Sequence, residues 1–215
     1  MPKIIDAQTA AAMIKPNDRI MFGSFLAVGC AETIIDEMVK LGTKDLHMIC
    51  IASDYENRGV GKLIANKQIK SAQVSHLGTN KAIQDQYNKG EMIVEMIPQG
   101  TLMERIRAKG AGLGGVLTPT GLGTIVQEGK DIIEVDGNPY ILEKPIGADW
   151  AILKAEKADK MGNLVYNKTA RNSKPIMATA ATKVIVEVKE IVEIGEINPE
   201  DVVTPGIFVH YIVKV

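Results

Sequence analysis

A short loop with a glycine at each end is the first candidate for chemistry in this sequence. It covers residues 23–29, between a predicted strand at residues 19–22 and a helical pattern that starts near Ala31. A strand, a turn and a helix N-terminus together expose backbone N–H groups that can hold a phosphate, a pyrophosphate or a carboxylate. The glycine spacing matches neither G-x-G-x-x-G nor G-x-x-x-x-G-K-[ST]. By itself the loop leaves an ordinary connection and an anion-binding loop both open.

A glutamine that directly follows another predicted strand is the second candidate. Gln99 stands between Pro98 and Gly100, after the apolar block at residues 92–97. Ligands of open α/β sheets bind outside the carboxyl ends of the strands. The side-chain amide of Gln99 can donate to a carbonyl or carboxylate oxygen there, or it can hydrogen-bond within its own turn.

A glycine-dense stretch is the third candidate. It contains Gly110, Gly112, Gly114 and Gly115, and is followed by the Thr-Pro-Thr-Gly-Leu-Gly-Thr segment at residues 118–124. Glycine is used where the backbone approaches another group closely or adopts a positive φ. A ligand, a partner chain or a mobile surface loop each accounts for this composition.

The usual catalytic constellations are missing from the sequence. His47, His76 and His210 have no acidic or cysteine partner at a useful spacing, and neither G-x-S-x-G nor H-E-x-x-H occurs. Cys30 and Cys50 lie in apolar stretches without a CxxC motif, which favours reduced core cysteines. We therefore expect no metal site and no nucleophile, as in a binding half of an enzyme.

Short apolar blocks separated by glycine and polar turns predict the strands that position these residues. The predicted strands cover residues 19–22, 46–52, 73–77, 92–97, 150–155 and 184–188. Helical patterns cover residues 6–14, 102–108 and 31–41, the last ending at Gly42 as C-cap. Strands and helices that alternate in this way predict an α/β fold, with an open, mostly parallel sheet and helices on both faces.

A different pattern between residues 118 and 142 predicts a small antiparallel insertion. Its apolar runs read as a hairpin that turns at Asp136 and Gly137. No linker or repeat interrupts the chain, so we expect a single domain over residues 1–215.

Composition excludes several classes of protein. The 215 residues are 46% hydrophobic and 24% charged, which is typical of globular proteins rather than disordered or disulfide-scaffold chains. A net charge of -1 predicts no nucleic-acid or anionic-membrane partner. Because no apolar run is long enough to cross a bilayer and the N-terminus lacks a signal-peptide pattern, we expect a cytoplasmic protein.

Several segments together resemble the alpha (A) subunit of two-subunit 3-oxoacid CoA-transferases of the acetate or butyrate:acetoacetate type. The resemblance covers nearly the whole chain, and its most specific parts are residues 97–112, 117–124, 147–155, 159–166, 170–172 and 203–209. The N-terminal signature of that family is also present, but Asp18 and Ser24 stand where the family has glycine and Ala31 where it has proline. The resemblance implies a CoA-transferase fold, which is broadly shared with ribose-phosphate isomerases.

The same resemblance implies roles for the three candidates. The loop would form part of the CoA or acid pocket, through Gly23, Ser24, Phe25, Leu26, Ala27, Val28 and Gly29. Gln99 would aim its amide at the thioester or carboxylate oxygen, and Gly110, Gly112, Gly114 and Gly115 would pack close to the partner chain. The side chain of Ser24 must then be accommodated where the family keeps bare backbone.

The mechanism that the resemblance implies places the nucleophile on another chain. In the family it is a glutamate in a Ser-Glu-Asn-Gly motif of the beta subunit, which forms an acyl anhydride and then a CoA thioester in ping-pong order. Glu56 superficially imitates it, but Tyr55 replaces the serine and Arg58 is inserted before Gly59. We therefore expect no catalytic residue here, a beta-subunit partner in an α2β2 or α4β4 assembly, and CoA as a substrate with no tightly bound cofactor.

Two other functions stay open at this stage. A sugar-phosphate isomerase on the same broad fold would carry a carboxylate base and a phosphate loop on one chain. A non-catalytic acyl-CoA-binding subunit would lack a partner that supplies the glutamate.

Overall fold

The computed structural model describes residues 1–215 and contains twelve strands in two sheets. In chain order the strands are β1 (Lys3–Ile5), β2 (Arg19–Phe22), β3 (Leu46–Ile49), β4 (Ile69–Val74), β5 (Ile93–Met96), β6 (Val116–Thr118), β7 (Ile132–Val135), β8 (Asn138–Glu143), β9 (Ala148–Asp159), β10 (Leu164–Val165), β11 (Ala181–Val192) and β12 (Tyr211–Lys214). The main sheet has the order β1-β12-β11-β9-β2-β3-β4-β5, and β10 pairs with β9. Every pair is parallel except β9 with β10, which confirms the predicted mostly parallel sheet.

Six α-helices cover the two faces of this sheet. They are α1 (Ala7–Met13), α2 (Glu32–Leu41), α3 (Gly61–Ala65), α4 (Lys81–Asn88), α5 (Gln99–Gly110) and α6 (Lys174–Ala180). Helices α1 to α4 contribute to one apolar core, with Ile34 and Met38 of α2 fully buried against the sheet. Helices α5 and α6 contribute to a second core on the other face, through residues such as Leu102 and Met177. The prediction of helices on both faces is therefore confirmed.

Local sequence signals set the ends of the predicted helices. The Asp6 carboxylate accepts a hydrogen bond of 2.6 Å from Thr9 N at the start of α1. Gly42 ends α2 in the left-handed conformation, with φ of 69°, as its position predicted. The predicted helix at residues 102–108 is longer, because Pro98 precedes a helix that already begins at Gln99.

A buried carboxylate from the middle of the sheet caps α2. Helix α2 has no capping side chain of its own, since Ala31 occupies the N-cap position. Instead Glu187 of β11 accepts hydrogen bonds from Thr33 N at 2.9 Å and Ile34 N at 3.2 Å, and pairs with Lys154 Nζ at 2.8 Å. The helix that follows the loop at residues 23–29 is thus fixed to the sheet by a residue 154 positions away from Thr33.

The second sheet is the small antiparallel insertion. Strands β6, β8 and β7 form it in that order, so it spans residues 116–143 rather than 118–142. Asp136 and Gly137 connect β7 to β8 with φ values of 49° and 74°, the positive pair that a tight hairpin turn requires. The predicted insertion and its turn are confirmed.

Other elements depart from the sequence prediction. The strand predicted at residues 73–77 is β4, which begins at Ile69 and ends at Val74, because the polar Lys70, Ser71 and Gln73 hide its start. Strands β1 and β12, and helices α3, α4 and α6, carry no signal that the sequence analysis used. Strand β1 is paired only with β12, near the opposite end of the chain.

We expect Glu187→Ala to lower the free energy of unfolding by about 3 kcal/mol, because it leaves two N–H donors and the Lys154 ammonium without their anion. Denaturant unfolding of the purified chain measures this loss. Glu190→Ala is the matched control on the same strand, since Glu190 is exposed and pairs with Lys157 at 3.1 Å. Equal effects of the two substitutions would contradict the capping role.

Candidate functional site

The loop at residues 23–29 turns tightly at the carboxyl end of β2. Val28 N donates to the carbonyl of Phe25 at 2.9 Å, which closes a two-residue turn formed by Leu26 and Ala27. Both central residues have positive φ, 49° and 64°, a conformation that usually requires glycine or asparagine. The turn is therefore strained, and the surrounding structure must hold it.

A buried carboxylate holds this turn. Asp54 is fully buried, and its carboxylate accepts hydrogen bonds from Ala27 N at 2.7 Å, Val60 N at 3.1 Å and Ser24 Oγ at 3.1 Å. Burial raises the pKa of Asp54, while the hydrogen bonds from Ala27, Val60 and Ser24 lower it, and the effect of burial is the larger. Asp54 thus connects the loop after β2 to the loop after β3.

The side chain of Ser24 is accommodated on the inner side of the loop. Ser24 is fully buried, and its hydroxyl points to Asp54. The hydroxyl of Ser24 therefore adds a hydrogen bond between the loop and Asp54, and its side chain does not line the outer surface of the loop.

The glycines at the two ends of the loop make room for a lysine. A Cβ on Gly23 would stand 2.6 Å from Lys174 Cγ, and a Cβ on Gly29 would stand 2.7 Å from Lys174 Nζ. The side chain of Lys174, the first residue of α6, therefore passes directly beneath the loop. These glycines are required by a contact inside the chain, and a ligand of the loop stays a prediction.

The outer side of the loop forms one wall of a cavity of about 380 Å³. Phe25 and Val28 of the loop line it together with Gln99, Met103, Asn172 and Ile176. Phe25 and Val28 are 39% and 46% exposed, although both are large and apolar. The cavity combines an apolar surface with a few amide and hydroxyl groups, which is the usual character of a small-molecule site.

Gln99 lines this cavity, and it lies in a helix rather than in the turn that the sequence predicted. It is the first residue of α5, and its side-chain amide makes no hydrogen bond within the chain. The structure thus brings Gln99 and the loop at residues 23–29 into one site. Their roles in binding CoA and an oxyanion stay predictions.

The four glycines predicted at a subunit interface have different surroundings. A Cβ on Gly110 would lie 2.0 Å from Thr179 Oγ1 of α6, and one on Gly115 would lie 2.9 Å from the carbonyl of Glu143. Both glycines allow close packing within this chain. Gly112 and Gly114 face open space, so a contact with a partner chain stays a prediction there.

None of the residues that line the cavity is titratable. Ser173 carries a hydroxyl group, which is a possible nucleophile. However, this hydroxyl donates to Asn172 Oδ1 and Met177 Sδ and has no base beside it. Glu56 is exposed in the loop after β3 and does not line the cavity. The cavity can bind and orient a substrate, but it contains no group that can attack one.

The remaining candidates for other chemistry lie outside the site. His47 pairs with Ser71 Oγ at 2.7 Å, and His210 accepts a hydrogen bond from Val184 N. Cys30 and Cys50 are free and buried, and burial raises the pKa of both thiols. No three histidine, cysteine or acidic side chains come together as metal ligands, and no helix has the length and hydropathy to cross a membrane.

One family of known proteins matches this chain over nearly its whole length. The coenzyme A transferase family matches residues 4–215. The chain belongs to this family. Acetate CoA-transferase subunit alpha of Escherichia coli K12 is 40% identical over 211 residues, which are 98% of this chain and 96% of the relative. Acetoacetyl-CoA:acetate/butyrate CoA transferase alpha subunit of Clostridium acetobutylicum is 43% identical, over 99% of this chain and 97% of the relative.

Solved structures of CoA-transferases share the fold. An acyl-CoA transferase of Escherichia coli O157:H7, in a thioester complex with CoA, matches with a TM-score of 0.87 at 23% identity. The match covers all of this chain and 47% of that longer chain. Glutaconate coenzyme A-transferase of Acidaminococcus fermentans matches with a TM-score of 0.86 at 20% identity, over 99% of this chain and 75% of that one. The structure thus has the predicted CoA-transferase fold.

Several cavity residues were not proposed as site residues from the sequence. Asn172 occurs in a segment that carries the family resemblance, so its position could have been found there. Met103 and Ile176 give no such signal, because apolar residues on helices are typical of a core.

The pKa shift of Asp54 predicts a pH dependence of stability. Because burial raises this pKa above the usual value of an aspartate, ionisation of Asp54 opposes folding. The free energy of unfolding of the wild type, relative to Asp54→Asn, should therefore fall as pH rises above about 4.

Urea unfolding at several pH values measures this difference, and Asp85→Asn is its control. The Lys81 ammonium lowers the pKa of Asp85. The free energy of unfolding of the wild type, relative to Asp85→Asn, should therefore increase as pH rises. The free-energy difference between the wild type and each variant should therefore change with pH in opposite directions. A change in the same direction for both variants would contradict the raised pKa of Asp54.

Proposed function

We propose that this chain is the alpha subunit of a heteromeric CoA-transferase that moves CoA between acetyl- or butyryl-CoA and a short-chain acid such as acetoacetate. The observation that carries the proposal is a cavity with an unpartnered amide and an apolar wall but without a titratable group. Such a cavity can recognise a short acyl group, whereas the attack on the thioester must come from another chain. The relatives' names, which specify alpha or A subunits and acetate, butyrate or acetoacetyl-CoA, support the same assignment.

The partner in this proposal is a beta subunit that supplies a glutamate. Its carboxylate attacks the donor acyl-CoA, and the released CoA thiolate attacks the resulting anhydride to give a glutamyl-CoA thioester and the donor acid. The acceptor acid then reverses these steps. An assembly of α2β2 or α4β4 would contain two or four such sites.

The contribution of this chain is to bind and orient the reacting group. The free amide of Gln99 would donate to the oxygen on which negative charge develops, and Phe25, Val28 and Met103 would contact the acyl chain. An apolar wall also excludes water, which would hydrolyse the anhydride. Binding energy from the rest of CoA can offset the high energy of that intermediate.

The surroundings of the cavity disfavour one of the two alternative functions. A sugar-phosphate isomerase needs a carboxylate base and a cationic phosphate site on one chain, and the cavity lining offers neither group. A non-catalytic acyl-CoA-binding subunit remains an outcome of the experiments below, since it requires only that no glutamate-bearing partner exists.

A covalent CoA adduct should form on the partner chain and not on this one. We expect tagged purification from the native cells to give a stoichiometric second chain, and brief incubation of the complex with acetoacetyl-CoA to add CoA to that chain alone. Intact-mass spectrometry of both chains is the measurement. A CoA adduct on this chain, or a chain that purifies alone, would overturn the split-site proposal.

We expect Gln99→Ala to lower kcat of the complex by about ten- to a thousand-fold, because the substitution removes an oxyanion donor. Steady-state kinetics with acetoacetate and acetyl-CoA measure the change. Gln8→Ala is the control, since Gln8 is an exposed glutamine on α1, across the sheet from the cavity. Unchanged turnover in a folded Gln99→Ala complex would remove Gln99 from the site.

A further inference from the structure

A buried lysine beneath the cavity has no acidic partner. Lys174 is fully buried, yet it takes part in none of the ion pairs of the chain, so no carboxylate lies within 4.0 Å of its Nζ. Its ammonium donates to two neutral oxygens, the carbonyl of Ala170 and Asn172 Oδ1, the latter at 3.3 Å. A buried charge without a counter-ion is costly, so this arrangement calls for a reason beyond packing.

The charged groups around Lys174 do not supply that counter-ion. Asp54 and Cys30 face it from the loops after β3 and β2, and Lys154 faces it from β9. The Asp54 carboxylate is already shared by three donors, and Lys154 is paired with Glu187. Burial lowers the pKa of Lys174 to about 8, so the side chain is mainly charged at neutral pH but loses its proton in mildly alkaline solution.

Asn172 connects this ammonium to the cavity through a hydrogen bond. Asn172 lines the cavity, and it accepts a hydrogen bond from Lys174 Nζ while its own amide donates to the carbonyl of Val28 at 3.3 Å. The hydrogen bonds of Lys174 thus fix both Asn172 and, through it, the wall formed by Val28. The positive charge lies behind an otherwise uncharged cavity surface, in a region of low dielectric where it acts on any anion placed there.

We propose that Lys174 is a positioning residue that gives the cavity its preference for a carboxylate, by orienting Asn172 and by supplying a positive charge that has no ion-pair partner in the chain. This inference rests on the proposed function, because the carboxylate is that of the acceptor acid. The bound acid would then be the counter-ion that the chain itself does not provide. The acyl thioester carries no such charge at the same place and depends on Lys174 much less.

Substitution of Lys174 by methionine in the complex with its partner subunit tests the inference. Methionine keeps much of the volume of the stem but removes the charge, so we expect the KM for acetoacetate at pH 7 to rise about tenfold. The KM for acetyl-CoA should stay within about twofold of the wild-type value. The melting temperature should be equal to or higher than that of the wild type, because an unpaired buried charge has been removed.

A second variant and a pH series separate charge from structure. Lys174→Gln keeps a hydrogen-bond donor without the charge, and it should raise the KM for acetoacetate as Lys174→Met does. In the wild type this KM should rise between pH 7 and 9 as Lys174 loses its proton, whereas in both variants it should be constant. Lys40→Met is the control for net charge, since Lys40 is exposed at the end of α2 and pairs only with Glu37.

The outcomes separate this inference from the proposed function. A wild-type complex that transfers no CoA between acetyl-CoA and acetoacetate would overturn the proposed function, and this inference with it. An active wild type with an unchanged acetoacetate KM in Lys174→Met would overturn the inference alone. A lower melting temperature with both KM values raised together, or a wild-type KM retained by Lys174→Gln, would show that Lys174 is structural or acts only as a donor, and would overturn it as well.

Discussion

The buried carboxylate of Asp54 is the interaction on which the site depends. It accepts hydrogen bonds from Ala27 N and Val60 N, and so it joins two loops that leave neighbouring strands of the sheet. Without it, the turn at Leu26 and Ala27 would keep two side chains in the left-handed region with nothing to compensate the strain. The backbone closes tightly around this anchor, since a Cβ on Gly59 would stand 2.1 Å from the carboxylate of Asp54. The exposed positions of Phe25 and Val28 follow from that constraint.

Buried charges in this chain serve two different purposes. Glu187 is satisfied within the fold, because it caps α2 and pairs with Lys154. Lys174 has only neutral partners, and its stem occupies the space that Gly23 and Gly29 leave open. Such a charge contributes nothing to the stability of the fold, whereas it does contribute to the affinity of a site for an anion. In the proposed role of Lys174, the stability of this region and its affinity for a carboxylate are therefore opposed.

A cavity that binds the substrate but contains no nucleophile is compatible with CoA transfer when another chain supplies the nucleophile. The groups that bind the acyl group and the nucleophile that attacks it contact different parts of the substrate, so two chains can divide these tasks. In the proposed function, this chain provides a mostly apolar wall that includes residues of α5 and α6, and the partner provides the reactive carboxylate. The same division explains how the sequence can carry the segments typical of its family without any catalytic constellation.

The sequence alone determined the elements whose signals are local. Strands β2, β3, β9 and β11, the helix end at Gly42 and the turn at Asp136 and Gly137 follow from apolar blocks and from residues that tolerate positive φ. It also identified the loop at residues 23–29 and Gln99, because their neighbours in the chain place them after strands. Only the tertiary structure decided that Ser24 points to Asp54, that Lys174 lies beneath the loop, and that β1 pairs with β12. These contacts join residues 30 to about 200 positions apart, and the periodicity of a sequence carries no information about which distant segments meet.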